Sequence, residues 1–148
     1  MSAHSLLLIE DSPDDIELIL GVLIKLVPPD QIARFSNGVD ALDYLFCRGA
    51  HGDRSPLEQP RLVLLDLVLP RLSGLEVLRE IRAGKATKLI PVVVLSASSA
   101  QKDIRTAAQL GANSFVTKPS DFSRLAGALD LLARYWLDLN IPPPHRLA

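Results

Sequence analysis

Three short runs, LLLI at Leu6 to Ile9, LVLL at Leu62 to Leu65 and VVVL at Val92 to Leu95, are apolar at every position instead of every second one. Side chains alternate faces along a strand, so such a run must be covered on both faces, as in a parallel sheet flanked by helices on either side. With their flanking residues these runs predict strands over Ser5 to Ile9, Arg61 to Leu65 and Pro91 to Leu95, and two further apolar runs add Gln31 to Phe35 and Ser114 to Thr117. Continuous apolar runs of this length bounded by turn residues are the signature of buried strands.

Helical signals fill every gap. Ser12 caps a helix with Pro13 at its first position and Asp14 and Asp15 in its first turn; Ile16, Ile19, Leu20, Leu23 and Ile24 form its apolar stripe, and Pro28-Pro29 ends it. Helices follow over Gly38 to Cys47 and over Gly74 to Ala83, the latter with Leu75, Leu78 and Ile81 inward and Val77 at the stripe's edge. Ala100 to Leu110 presents Ile104, Ala107 and Ala108 on one face and closes at Gly111. Asp121 to Trp136 carries Phe122, Leu125, Leu129, Leu132 and Trp136 at helical spacing. Strand and helix thus alternate five times, which predicts an α/β doubly wound sheet with right-handed crossovers. Arg48 to Pro60 reads as a polar loop. The whole chain, residues 1–148, reads as one domain with a core of about 5–136 and a tail over 137–148.

Composition narrows the function. The chain is 48% hydrophobic, enough for a core without disulfides, and its 16 Lys and Arg nearly balance 17 Asp and Glu. A net charge of −1 offers no electrostatic footprint for nucleic acid or an anionic membrane. Glu10, Lys25 and Asp66 interrupt the richest apolar stretches, so none is long enough to span a bilayer. Cys47 is the one cysteine and reads as structural or inert, consistent with a reduced, cytoplasmic protein. His4, His51 and His145 read as surface residues.

Ligands of doubly wound sheets bind beyond the carboxyl ends of the strands, where strand order reverses. In this chain those ends carry Glu10 and Asp11, Asp66, Ser96 and Lys118. Three carboxylates in one cleft raise each other's pKa unless a cation neutralises them. Oxygen-only donors with no thiol or imidazole nearby point to Mg²⁺. The ion and the Lys118 ammonium would stabilise a phosphoryl group in transfer, leaving Asp66 as the carboxylate nucleophile and Ser96 as a donor to the new phosphate. Asp14 and Asp15 read as dipole partners of the first helix, outside the site.

The segments IEDSPDD, LLDLVLPRLSG, VVVLSAS and FVTKPSD resemble, in order and across nearly the whole chain, the four motifs of response-regulator receiver domains. The resemblance implies a flavodoxin-like fold with strand order 2-1-3-4-5 and five helices. It implies Asp66 as phosphoacceptor, Glu10 and Asp11 as the metal pocket with Asp66 and the backbone carbonyl of Val68, and Lys118 as the phosphate-contacting lysine. Ser96 and Phe115 match the two switch positions, and Pro70 and Gly74 match the turn after the phosphoacceptor. Glu10 stands where many members carry Asp, and Phe115 where many carry Tyr. The insert before the third strand, the LPRLSG turn, the KPSDF ending and the YWL segment are similar to the small regulators paired with bacterial and cyanobacterial phytochromes. That narrower resemblance implies a light-sensing histidine kinase as phosphodonor.

The function expected is a stand-alone two-component regulator, not an enzyme acting on a separate substrate, that switches its surface or its dimerisation. Leu131, Tyr135 and Leu137 add apolar surface to the last helix beyond its inward stripe. They suggest either a dimer interface or packing of the tail onto its own domain, and of the two a dimer is expected; a homodimer through the fourth helix, fifth strand, fifth helix and tail is the assembly expected. A haloacid-dehalogenase-like phosphatase would need a second acid two residues after the nucleophile, where Val68 stands. A flavodoxin would bind its phosphate in the first loop, where Glu10, Asp11, Asp14 and Asp15 repel it. A pseudo-receiver scaffold would have no need of the acids, Asp66 and Lys118 together.

Overall fold

The three wholly apolar runs are the three inner strands of the sheet. The computed structural model describes residues 4–144. In it β1 (Leu6–Ile9), β3 (Leu62–Leu65) and β4 (Val92–Ser96) are flanked by β2 (Ile32–Phe35) and β5 (Ser114–Thr117). All neighbours are parallel, in the order β2-β1-β3-β4-β5. Strand order reverses between β1 and β3, as the sequence reading expects.

Five helices cover the two faces: α1 (Pro13–Leu23), α2 (Gly38–Leu45), α3 (Gly74–Ala83), α4 (Gln101–Gln109) and α5 (Phe122–Arg134). Leu7, Ile9, Val63, Leu65, Val92 and Val94 point to one side and pack with α2, α3 and Ala107 of α4. Leu6, Leu8, Leu62, Leu64, Val93 and Leu95 point to the other and pack with Ile19 and Leu23 of α1 and Leu125, Leu129 and Leu132 of α5. Each such side chain, fully withdrawn from water, contributes about 2 kcal/mol. The helices start where their caps allow: Ser12, Asn37, Ser73 and Asp121 each accept a backbone N–H three residues on.

Several details differ from the periodicity. In α3 the fully buried stripe is Val77, Leu78 and Ile81, while Leu75 is half-exposed. The reason is Gly74, pressed against the backbone of Asp66 and Leu67, which turns the helix about that contact. In α4 only Ala107 is buried; Ile104 and Ala108 are exposed. In α5 Phe122 is exposed. Helix α1 ends at Leu23, well before the Pro pair, through N–H bonds of Val27 and Leu26 onto the Leu23 carbonyl, and Ile24 is exposed. Gly111 closes α4 as expected: at φ +100° its N–H donates to Ala108, while that of Ala112 donates to Ala107.

The polar loop is more ordered in role than its composition suggests. A short 3₁₀ turn over Gly49–His51 sets His51 edge-on to Phe35 and Tyr44, and Arg54 lies over the Tyr44 ring. Nδ1 of His4 meets the Tyr44 hydroxyl at 2.6 Å. His4 and His51 are therefore half-buried partners of an aromatic cluster, not free surface residues, while His145 lies outside the described residues. Cys47 is unpaired, with Arg54 donating to its sulfur. At the chain's end α5 continues into a π-helical turn, Tyr135–Leu139, and Arg61 donates to the carbonyl of Asn140.

Candidate functional site

Parallel pairing brings the acids together. The Asp66 N–H donates to Ile9 O at 3.0 Å and the Glu10 N–H to Phe35 O at 3.1 Å, so the residues that follow β1 and β3 stand side by side. Carboxylate oxygens of Glu10, Asp11 and Asp66 lie within 4.8 Å of one another. Glu10 and Asp66 are buried and Asp11 faces solvent. On the other side of Asp66, the Lys118 N–H donates to Ser96 O at 2.7 Å, which fixes the lysine where β5 ends beside β4.

Lys118 enters the cleft and meets three acids. Its Nζ donates to Glu10 Oε1 and, at 2.9 Å, to Asp15 Oδ2, and it lies 3.6 Å from Asp66 Oδ2. The lysine side chain is only 9% exposed. Burial opposes its charge, yet Asp15, Glu10 and Asp66 outweigh burial and hold its pKa above the usual lysine range. Glu10 is 2% exposed. Its Oε2 accepts the N–H groups of Asp11 and Ser12 at 3.0 and 3.2 Å. Burial nevertheless pushes its carboxyl up to about 7, with Asp66 adding to the rise and Lys118 opposing it.

Ser96 is buried at the end of β4, and its Oγ accepts the N–H of Ser98 at 3.2 Å. Ser98 in turn donates to Asp103 in α4 at 2.8 Å, linking this loop to the helix. Phe115, paired with Val94 across the sheet, is half-buried against the cluster beneath α2, α3 and α4. The side chain of Val68 is 73% exposed and takes no part in the cleft. Of the residues expected from sequence, then, Glu10, Asp11, Asp66 and Lys118 come together, with Ser96 on the neighbouring strand β4 and Phe115 on β5 beyond it. Asp15, read as a dipole partner only, is a member of the cleft. No signal in the sequence marked it, since an acid in a helix's first turn already has the helix dipole as its ordinary partner.

The donor set suits a hard divalent cation: all oxygen, three carboxylates, one of them open to solvent. A sheet of this order with such acids at its switch point, a buried lysine on one side and a buried hydroxyl beyond it is the framework of a phosphoryl-accepting signalling switch. Comparison with known proteins agrees. Residues 6–130 match the family model of the response regulator receiver domain, and the chain belongs to that family, the phosphoacceptors of two-component signalling.

The chain is 38% identical over 138 residues to the probable methanogenesis regulatory protein FilR2 of Methanothrix harundinacea, covering 93% of this chain and 86% of that one. It is 34% identical to the response regulator Rcp1 of Synechocystis, over 90% and 88% of the two chains. The Mn²⁺-bound structure of Rcp1 matches with a TM-score of 0.84 at 33% identity, over 93% and 97%. That of the phosphorylated cyanobacterial phytochrome response regulator RcpA matches with 0.87 at 35%, over 95% and 99%. Receiver domains take a divalent metal, in line with the acid trio. Among the described residues no helix is long and apolar enough to cross a membrane.

Proposed function

We propose that this protein is a Mg²⁺-dependent cytoplasmic switch, its residues 1–148 forming one domain, phosphorylated on Asp66. The observation that carries the reading is the convergence of Glu10, Asp11 and Asp66 oxygens within 4.8 Å, with the Lys118 ammonium 3.6 Å from Asp66. A Mg²⁺ ion bound there would supply positive charge to the acids and to the incoming phosphoryl oxygens. Glu10, Asp11, Asp66 and the Val68 carbonyl would hold it. Asp66 then attacks phosphorus; an O–P bond forms as the N–P bond of the donor's phosphohistidine breaks and its electron pair returns to the imidazole. Lys118 pairs with the new phosphate, and Ser96 donates its hydroxyl to it.

Drawing Ser96 toward the phosphate makes room for Phe115 to turn inward and repack α4, β5 and α5, a shift between two populations. The phosphodonor we infer is a phytochrome-type histidine kinase. Support comes from RcpA, described as a cyanobacterial phytochrome response regulator, and from the match over 99% of its chain. A homodimer through α4, β5, α5 and the tail is the assembly we infer.

Incubation with acetyl phosphate and Mg²⁺, followed by intact mass, tests the assignment. The wild type is expected to gain one phosphoryl group and Asp66→Asn none. Uptake by the variant would move the acceptor elsewhere, and no uptake by the wild type from any donor would favour a scaffold.

A further inference from the structure

Asp15 lies outside the acid trio, yet it makes a direct contact with the lysine of the site across 103 positions of sequence. We propose that Asp15 is a positioning residue for Lys118, holding the ammonium toward α1 so that Glu10 stays available to a divalent cation. This rests on the reading of Lys118 and Asp66 given above.

An ammonium has three N–H donors, and in this cleft three carboxylates surround it: Glu10, Asp15 at 2.9 Å and Asp66 at 3.6 Å. Two of these belong to the converging trio; Asp15 does not. Any cation drawn to Glu10, Asp11 and Asp66 competes with Lys118 for Glu10. A third acid placed off the cation's position shares the ammonium and weakens that competition. Asp15 is well placed for this. It sits in the first turn of α1, its N–H accepted by Ser12 Oγ, on a helix anchored by fully buried Ile19 and Leu23. Asp14 beside it is exposed and, among the described residues, has no side-chain hydrogen bond or ion pair. Asp14 meets the helix dipole's preference for a negative charge just as well. The dipole therefore does not account for the Asp15 contact, whereas the lysine does.

Removing Asp15 lowers cation affinity in two ways: by loss of a nearby negative charge, and by leaving Lys118 to Glu10. A double-mutant cycle separates them. Mn²⁺ affinity would be titrated calorimetrically on wild type, Asp15→Asn, Asp15→Ala, Asp15→Glu and Asp14→Asn, each with Lys118 present and with Lys118→Gln, after melting curves confirm folding. With Lys118 present, both removals of Asp15 should weaken Mn²⁺ about fivefold more than Asp14→Asn does, and Asp15→Glu should stay near wild type. In the Lys118→Gln background the excess penalty should vanish. Equal penalties at positions 14 and 15, or an excess that persists without Lys118, would overturn the proposal. Phosphoryl uptake by the same preparations reports separately on Asp66: wild type without uptake refutes the acceptor assignment, while the Mn²⁺ cycle still decides the role of Asp15.

Discussion

Glu10 is held by two backbone amides and an ammonium, all of which favour its ionised form, yet burial leaves its carboxyl near 7 instead of 4.5. A carboxyl whose folded pKa is raised binds more protons folded than unfolded, so its contribution to stability is full below 4.5 and is lost as pH rises toward 7. Measured with a chelator present, stability should fall across that window because of this residue. Glu10→Gln should flatten the profile. With Mg²⁺ added, proton and ion compete for the same group, so affinity for the ion should climb with pH up to about 7 and level above it. A pH-independent affinity in calorimetry would contradict the coupling. Glu10 and Asp66 were legible in the sequence because each follows a run that can only be a buried strand, and Lys118 because it closes the last strand of the alternation. Asp15 was not, because an acid in a helix's first turn satisfies the dipole whether or not a distant lysine meets it.

At the scale of elements, the loop after β3 depends on a single glycine. A Cβ at Gly74 would lie 2.2 Å from the Asp66 carbonyl oxygen and 2.6 Å from Leu67 Cα, both backbone atoms with no room to yield. The Gly74 N–H also donates to Leu67 O at 2.9 Å, tying the start of α3 to the loop that presents Asp66. Gly74→Ala should therefore cost about 3 kcal/mol in urea denaturation and slow phosphoryl uptake by displacing Asp66. An alanine variant of wild-type stability would show that the loop can open without cost. Strand order came from the resemblance to receiver domains, while strand identity was readable from apolar runs and alternation, as were the caps at Ser12 and Gly111. The inward face of α4 was not: with only Ala107 buried, its small and aliphatic residues carry little information about which side meets the sheet. In α3 the stripe turned on a backbone contact that periodicity does not record.

For the molecule as a whole, a run of exposed apolar side chains lies along the end of α5 and the segment beyond it. Leu131, Tyr135, Leu139 and Ile141 are exposed, the last two at 73% and 89%. Leu137, expected with them, packs instead with Trp136 against the α1–α5 side of the core. The dimer inferred above should sediment as such at micromolar concentration, and Leu131→Glu combined with Leu139→Glu should yield a monomer. A wild type that sediments as a monomer with and without phosphate would remove the dimer from the mechanism.

Burial across the sheet is uneven. β1, β3 and β4 are buried at every position, whereas no residue of β5 is, and α4 beside it sinks one side chain into the core. Asp66 thus sits between the two jaws of a vice. Glu10 and Asp11 form the jaw that follows fully buried β1, and Lys118 rides on the jaw that follows the half-buried edge strand β5. In the proposed switch, free energy released at Asp66 would be absorbed where local rearrangement costs least. The acid pocket would accordingly stay rigid through many cycles of phosphorylation, while the α4–β5 side would carry the motion outward.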